Sequence, residues 1–559
     1  MKQTPKQIKA EEKQMMLAFV LIIAVLLSFQ LFAPKQDNSL DNSLENVTTS
    51  AALENVMPDD ANAAAVMASA FVADIQLDGA QLPLQNNDVI GSLLANGTIF
   101  NELNLEKYKE TTAQDSPDVT LLSNNYFAYL KWKLNNENVN LNTGWRVVSG
   151  DKLTPQTPVT LAWENGVVKI VRQISLDDHY MFTIQDSVNN KSAQNMSAYL
   201  EGTIRIKKDP SLLERSSVHT GFVALINNKL EENSYSSVDS KKVAYETTGG
   251  WFGITQKYWQ TIFIPEQSEN VTLEDFLSDD WYQSTFKLSL QNIPSAKTIT
   301  KTVRFFAGAK DLNLINQYEK DLNIPKFDLT IDFGWFYFLT KPFLYFLQWL
   351  YALVGNMGVA ILIFATLLRI ALLPIVTKSY ISMAKMKKIQ PKIQELQERY
   401  KDDRPRLQKE VLALYSREHV NPAGGCLPMF IQVIPFYALY KVLSVSLQMR
   451  GAPFFGWLKD LSMPDSSSVL TLCGLIPWPV PSVFNIGILP VIMGITMYIQ
   501  QKMQPAPAGA DKAQMGMFKW MPVIFTFMMG NFASGLVLYW TWSNILSIFQ
   551  QRYINKKMG

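Results

Sequence analysis

An arginine within a long apolar run is the residue whose type and position most directly suggest chemistry. Arg369 lies within residues 359–376, VAILIFATLLRIALLPIV, which are long and apolar enough to span a bilayer. A charge at that depth costs on the order of 2.5–3.5 kcal/mol and is tolerated mainly beside water or a partner. No Asp or Glu lies in any apolar segment downstream. Arg369 therefore either extends to the cytoplasmic face or lines a water-filled, positively charged pocket, and we favour the pocket.

Residue patterns for other chemistries are absent from the sequence. The three histidines (His179, His219 and His419) are far apart and lack metal-ligand spacing. The two cysteines, Cys426 and Cys473, are expected near opposite faces of the membrane, which excludes a disulfide between them. No nucleophile elbow, nucleotide-binding loop or zinc signature occurs, and the apolar segments contain no paired carboxylates. We therefore expect no enzyme activity, no cofactor and no metal.

The charge of the chain is divided between two oppositely charged parts. Residues 34–341 contain 26 Lys and Arg against 38 Asp and Glu, whereas the remainder contains 25 against 11. Charged residues make up only 18 % of the chain and aromatic residues 12 %. Low charge and abundant aromatics are typical of a membrane protein with aromatic belts at the bilayer interfaces.

Apolar segments separated by charged loops predict a polytopic α-helical membrane protein with six transmembrane helices. The first, residues 15–33, follows four lysines and lacks a cleavage site, which favours an uncleaved anchor over a signal peptide. The loop at 377–425 contains 11 Lys and Arg, which places it and both termini in the cytoplasm. The predicted spans are 15–33, 354–376, 426–447, 486–501, 517–531 and 534–551.

A large β domain is expected between the first two spans, outside the cytoplasm. Short runs of β-branched and aromatic residues recur at 167–174, 180–184, 199–206, 220–226, 258–264 and 299–306. Asn165-Gly166 predicts a type I′ hairpin turn between residues 161–163 and 167–174. The pattern indicates an antiparallel sandwich at 69–330, joined to the first span by a flexible linker at 34–68.

The remaining segments complete the predicted organisation. Nine aromatics within residues 335–351 favour a helix lying in the membrane interface, at 331–353, over the start of a spanning helix. The other segments are a cytoplasmic N-terminus at 1–14, a periplasmic loop at 448–485, a cytoplasmic loop at 502–516 and a cytoplasmic tail at 552–559.

The loop at 377–425 predicts a helical hairpin with an apolar seam. Apolar residues recur at spacings of three and four on either side of a break at 402–405, and Pro391 should kink the first helix or mark its start. The hairpin either packs on itself as a short antiparallel coiled coil or acts as a mobile cap or docking site; spacing alone favours the first. Its seam residues are Met386, Ile389, Ile393, Leu396, Leu407 and Val411.

Polar residues also recur within the predicted spans. Gln432 lies in the third span, Thr496 in the fourth, and Tyr539 and Trp540 in the sixth. Each alone is more typical of a helix–helix contact than of a pocket. Lys441, near the outer end of the third span, is expected to extend to the membrane surface.

Several motifs, in this order, resemble the YidC/Oxa/Alb family of membrane protein insertases, in the Gram-negative form with a large periplasmic domain. They are residues 332–335 (DFGW), 382–386 (SMAKM), 390–392 (QPK), 414–415 (LY), 420–428 (VNPAGGCLP), 521–526 (MPVIFT) and 534–540 (SGLVLYW).

The resemblance implies a five-helix insertase core in the inner membrane and a periplasmic β supersandwich. It also implies a hydrophilic groove that is open to the cytoplasm and to lipid, and that contacts substrate through Arg369, Thr366, Gln432, Tyr539 and Trp540. The partners implied are nascent inner-membrane proteins, the Sec translocon and the bilayer. The ribosome and the signal recognition particle receptor would act through the cytoplasmic loops, and no nucleic acid is bound directly. The alternative is a Sec-associated folding chaperone without independent insertase activity.

Overall fold

A computed structural model describes residues 77, 79–96, 98–113, 115–135, 137–139, 144–213, 218–239, 241–401, 403–418, 420, 427–469, 486–504 and 512–558. The predicted span at 15–33, its flanking segments 1–14 and 34–68, and most of the turn at 420–428 lie outside these residues. Two compact units emerge. The β unit comprises the described residues of Met1–Tyr108, Asp118–Gly308 and Tyr318–Phe327. The helical unit comprises those of Lys109–Pro117, Ala309–Gln317 and Asp328–Gly559.

Twenty strands lie in the described part of the chain. They are β1 Gln81–Gln85, β2 Val89–Leu94, β3 Ile99–Lys109, β4 Asp118–Leu122, β5 Tyr126–Leu134, β6 Glu137–Asn138, β7 Trp145–Ser149, β8 Val159–Glu164, β9 Val168–Leu176, β10 Met181–Asn190, β11 Met196–Lys207, β12 Gly221–Ile226, β13 Lys229–Ser234, β14 Val243–Thr248, β15 Phe252–Thr255, β16 Trp259–Pro265, β17 Asn270–Ser278, β18 Trp281–Leu288, β19 Gln291–Ile293 and β20 Thr298–Ala309.

The strands form two antiparallel sheets, which confirms the predicted sandwich. One sheet has the order β1-β2-β3-β5-β11-β18-β17-β14, with β4, β6 and β19 paired at its side. The other has the order β13-β12-β15-β16-β20-β10-β9-β8-β7. In β9, buried residues alternate with more exposed ones, as a strand with one face on a core requires. The core contains a cluster of phenylalanine rings with centroids 4.7–6.1 Å apart, formed by Phe100, Phe182, Phe263 and Phe305.

The hairpin between β8 and β9 is confirmed, but its turn differs from the predicted one. Asn165 N–H donates to the carbonyl of Val168 at 3.2 Å, so Gly166 and Val167 are the central residues. Gly166 has φ +84°, whereas Val167 is not among the described residues with positive φ. A positive φ at the first central position alone is the type II′ pattern, which requires glycine there, whereas type I′ needs it at both.

Nine α-helices lie in the described residues. They are α1 Tyr235–Val238, α2 Leu312–Asp321, α3 Tyr337–Val354, α4 Met357–Arg399, α5 Arg404–Arg417, α6 Leu427–Val445, α7 Ile488–Met503, α8 Lys512–Met529 and α9 Ser534–Met558. Short 3₁₀ helices occupy Pro210–Leu213, Phe327–Thr330 and Leu447–Met449. Among the described residues, α4 is the helix that is long and apolar enough to cross a membrane, and Gln432–Val445 is a shorter apolar helix.

Helix α4 joins the predicted second span to the cytoplasmic loop without a break. It is 43 residues long and continues through Pro374 and Pro391. Asn356 caps its start, because its side-chain oxygen accepts a hydrogen bond from Val359 N–H at 3.1 Å. Pro391 therefore lies inside the helix and does not mark its start.

The C-terminal part of α4 and helix α5 form the predicted hairpin. Met386, Ile389 and Ile393 of α4 pack against Tyr415 and Val420, with Val411 and Leu414 beside them. Leu396 and Leu407 are half-buried. Tyr415 and Val420 are buried members of this cluster, although the predicted seam did not include them.

Helix α3 has one buried and one exposed apolar face. Thr340, Leu344, Leu347 and Leu350 are buried at helical spacing. The opposite side exposes large apolar side chains: Phe338 is 72 % exposed, Trp349 57 % and Leu353 68 %. An aromatic exposed face is typical of a helix lying in a membrane interface.

Candidate functional site: a cleft among helices α4, α6 and α9

The helical unit contains a cleft that combines one cation with neutral side chains. Its cavity volume is about 20 Å³, which is room for about one water molecule. Arg369 is the only charged residue in its lining, and Tyr539 and Gln432 supply further polar groups. The full lining is Ala365, Leu368, Arg369, Leu372 and Val376 of α4, Gln432 and Pro435 of α6, and Tyr539 and Ser543 of α9.

The guanidinium of Arg369 is held by neutral partners. Its Nε donates to Gln550 Oε1 at 3.1 Å, and one terminal nitrogen donates to the Tyr380 hydroxyl at 3.0 Å. Gln550 in turn donates to Thr377 Oγ1 at 3.1 Å. No carboxylate of the described residues forms an ion pair with Arg369. Hydrogen bonds to neutral groups orient a cation without cancelling its charge, so the cleft has a positive field.

The sequence left two alternatives for Arg369, a side chain that lines a pocket and one that extends toward the end of its helix, and the structure has features of both. It lines the cleft, and it also leans toward the C-terminal end of α4, where Tyr380 lies 11 residues further along the helix. Eleven residues are close to three full turns, so the two side chains share one helix face.

Of the five residues assigned to the groove, the structure brings three together around the cleft. Gln432 and Tyr539 join Arg369 in its lining, and Gln432 Nε2 lies 3.4 Å from Ser543 Oγ. Tyr539 is buried, with 3 % of its surface exposed. The cleft contains no His, Cys, Asp or Glu, and no group of three or more such residues in the described chain is arranged to hold a metal.

Thr366 and Trp540 lie outside the cleft lining. Thr366 Oγ1 donates to the carbonyl of Leu362 at 2.8 Å and accepts a hydrogen bond from Trp542 Nε1 at 2.9 Å. Trp540 packs edge-on against Phe436, with ring centroids 4.4 Å apart, and against Phe525 at 5.9 Å. Both residues therefore make contacts between helices.

The loop at 451–469 caps helices α7 and α9. Asp465 accepts a hydrogen bond from Leu489 N–H in the first turn of α7 at 2.8 Å. Ser534 N–H and Gly535 N–H at the start of α9 donate to the carbonyls of Met463 and Leu461 at 2.8 and 2.9 Å. These bonds satisfy N–H groups that helix starts leave without intrahelical partners, and they fix the N-terminal ends of α7 and α9.

Lys441, which is expected to extend to the membrane surface, forms an ion pair with Asp332. Its Nζ lies 2.7 Å from Asp332 Oδ2, and the two side chains are only 10 % and 16 % exposed. Asp332 lies in the segment before α3, more than 100 residues from Lys441. The residue pattern around Lys441 therefore gave no sign of this contact.

Sequence reasoning missed Tyr380 and Gln550 as partners of Arg369, and Thr377 as the partner of Gln550. The position of Tyr380, three turns after Arg369, was a usable signal. The sequence gives no such signal for Gln550, because it lies 181 residues from Arg369 along the chain and meets it only through the packing of α9 on α4.

Comparison with known proteins gives matches along most of the chain. Residues 349–559 match the family described as 60Kd inner membrane protein, and residues 81–346 match the YidC periplasmic domain. The chain is 42 % identical over 485 residues to the membrane protein insertase YidC of Brucella suis biovar 1, covering 84 % of this chain and 79 % of that protein. The YidC of Methylorubrum extorquens (strain PA1) is 40 % identical over 507 residues, covering 86 % and 82 %.

A solved structure, the active YidC insertase crystal structure with its first transmembrane domain resolved, is also similar. It has 17 % sequence identity and a TM-score of 0.37, with 84 % of this chain and 92 % of that chain covered.

The chain belongs to the YidC family of membrane protein insertases. It is an inner-membrane protein with a periplasmic β-sandwich domain, it inserts membrane proteins, and it is not an enzyme.

Proposed function

We propose that the cleft of the helical unit is the path through which substrate segments pass from the cytoplasm into the inner membrane. The observation that carries the proposal is the neutral surroundings of Arg369, which lines the cleft without an ionic partner among the described residues. The groove residues are Arg369, Gln432 and Tyr539, with Thr366 and Trp540 supporting the helices behind them.

Arg369 would attract an acidic or polar substrate tail into the cleft. Moving such a tail through bare hydrocarbon is costly, because its polar groups lose their hydrogen bonds to water. A hydrated cleft part of the way across shortens that dry path. A membrane potential that is positive outside then favours outward movement of an acidic tail.

The apolar segment of the substrate would slide along α6 and α8 into lipid. Transfer of that segment out of water drives the step, so no nucleotide is hydrolysed. The cytoplasmic hairpin of α4 and α5 would act near the entrance of the path.

The proposal includes the topology and partners expected from the sequence. Six spans at 15–33, 354–376, 426–447, 486–501, 517–531 and 534–551 would place both termini in the cytoplasm and the domain at 69–330 in the periplasm. The interfacial helix at 331–353, the hairpin at 377–425, and the loops at 448–485 and 502–516 would connect them. The Sec translocon, the ribosome and the signal recognition particle receptor are the proposed partners beyond substrates and lipid.

The test uses the purified full chain in liposomes with a small single-span substrate bearing an acidic N-terminal tail. Protease protection of the tail reports translocation for the parent, Arg369→Lys and Arg369→Ala. We expect the parent and the Lys variant to translocate the tail and the Ala variant to fail, because positive charge in the cleft is the attracting element.

Two results would contradict the proposal. Full activity of Arg369→Ala would show that the cation is dispensable. A parent protein that translocates only when the Sec translocon is added would favour a Sec-associated chaperone instead.

A further inference from the structure

The DFGW motif at 332–335 forms a compact turn around one carboxylate. Asp332 Oδ1 accepts a hydrogen bond from Gly334 N–H at 2.9 Å, while Oδ2 faces the ammonium of Lys441 on α6 at 2.7 Å. Gly334 has φ +70°, and a Cβ there would lie 2.9 Å from Cε of Lys441. Glycine is therefore required twice, by its backbone conformation and by the lysine stem that crosses it.

The same region joins the start of α3 to the outer half of α6 through a second contact. The Phe336 and Tyr437 rings meet edge to face with centroids 5.6 Å apart. Tyr437 lies one helical turn before Lys441, so both contacts fall on one face of α6. Further along α3, Gln348 Nε2 donates to Gln448 Oε1 at 3.2 Å just beyond the end of α6.

Helix α6 has a weak point between this contact region and the cleft. Pro435 lies inside the helix and also lines the cleft. Proline lacks a backbone N–H, so the helix loses one intrahelical hydrogen bond there and bends more easily. Gln432, which lines the cleft, is nine residues from Lys441, or about 14 Å along the helix axis. The position of the outer half of α6 therefore depends on contacts outside the helix.

We propose that Asp332 and Lys441 form a clamp that fixes the outer half of α6 and thereby sets the width of the cleft. Both are positioning residues for insertion, and the inference rests on the cleft being the substrate path. The ion pair suits this role because its side chains are mostly buried. Removing one partner takes the ion-pair contact away from the other charge in a poorly hydrated place.

The first readout is the position of α6. Nitroxide labels at Ser444→Cys on α6 and Ile370→Cys on α4, in a background with Cys426→Ser and Cys473→Ser, report the distance between the two helices. We expect Lys441→Met to broaden this distance distribution and Lys441→Arg to keep the parent distribution, because arginine retains the charge.

A matched control breaks a similar ion pair that does not reach α6. Lys341 Nζ lies 2.6 Å from Asp328 Oδ2, and both residues belong to α3 and the segment before it. Lys341→Met should leave the distance between Ser444→Cys and Ile370→Cys unchanged.

The second readout is substrate selectivity, which a merely structural role would not change. Two substrates share one acidic tail but have either a slim segment rich in Ala and Leu or a bulky one rich in Phe and Trp. We expect Lys441→Met to raise the ratio of bulky to slim insertion, and Lys441→Arg and Lys341→Met to keep the parent ratio. A uniform loss of both substrates, or an unchanged distance, would overturn the clamp.

The outcome for Arg369→Ala separates this inference from the proposed function. If Arg369→Ala fails while Lys441→Met keeps the parent distance and ratio, the clamp alone is overturned. If Arg369→Ala inserts normally, the cleft is not the path and the role of the clamp in insertion is overturned with it.

Discussion

Arg172 and Asp186 lie directly opposite each other on β9 and β10 and form an ion pair that is fully buried. Nε and Nη2 of Arg172 face the two carboxylate oxygens at 2.7 and 2.6 Å. Trp132 of the other sheet donates its Nε1 to the same carboxylate at 2.6 Å, and Arg172 Nη1 donates to the carbonyl of Leu130 at 3.1 Å. The pair therefore links the two sheets through their shared core.

Removing one member of this pair should strongly destabilise the β unit. Asp186→Ala leaves the Arg172 charge buried without its counter-ion, and we expect the free energy of unfolding to fall by about 3–5 kcal/mol. Urea unfolding of the full chain in detergent, followed by near-ultraviolet circular dichroism, measures the change. Arg146→Ala is the control, because Arg146 is 69 % exposed and 4.0 Å from Glu164. Similar unfolding midpoints for the two variants would contradict the prediction.

Asp275 should make the stability of the β unit depend on pH. Burial raises the pKa of Asp275 to about 7, although Ser284 and Asn233 donate hydrogen bonds to it at 2.8 and 3.4 Å. The folded state therefore holds a proton that the unfolded chain has released above its ordinary pKa of 3.8. Stability from this group is greatest below that value and falls as pH rises toward about 7, beyond which the loss is complete.

The substitution Asp275→Asn mimics the protonated carboxyl and tests this pH dependence. We expect the variant to match the parent melting temperature near pH 4 and to exceed it at pH 8. Differential scanning calorimetry of the full chain across this range gives the comparison. A parent and variant that lose stability in parallel between these values would show that other groups are responsible.

The neutral partners of Arg369 should affect insertion less than the arginine itself. In Tyr380→Phe combined with Gln550→Leu, the guanidinium keeps its charge but loses two hydrogen bonds that orient it. We expect the initial rate of protease-protected product to fall, but by less than in Arg369→Ala. Tyr553→Phe is the control on α9, because Tyr553 is 69 % exposed. A double variant as fast as the parent would mean that orientation is unimportant.

The apolar cluster between α4 and α5 should hold the helical hairpin closed. Ile389 is only 4 % exposed within this cluster, whereas Leu412 on α5 is 49 % exposed. Ile389→Ala removes buried methyl groups and should increase cleavage by limited proteolysis near residues 400–404, while Leu412→Ala should not. Equal cleavage of the two variants would argue against the packing role.

The sequence predicted elements whose signals are local. Runs of β-branched and aromatic residues predicted six strands of the sandwich. Arg369 was singled out as a candidate pocket residue because a charge within an apolar run is costly. The order of the strands was not accessible, since it depends on pairings such as β5 with β11 that join distant parts of the chain.

Helix rotation explains the limits of the site prediction. Tyr539 and Trp540 are adjacent, yet only Tyr539 lines the cleft, because neighbouring residues point about 100° apart on a helix. Which of them faces the cleft is decided by how α9 packs on α4, α6 and α7. The Lys441–Asp332 contact was equally hidden, since it brings together two segments that the sequence shows only as separate.

The length of α4 has a mechanical consequence. Its 43 residues form a rod about 65 Å long that carries Arg369 in one part and the hairpin residues Met386–Ile393 in another. We expect a displacement of the hairpin to be transmitted along α4 to the residues that line the cleft. The accessibility of a Leu372→Cys thiol with and without a bulky group tethered to the hairpin measures this coupling. One continuous helix would then couple binding at the hairpin to the opening of the cleft.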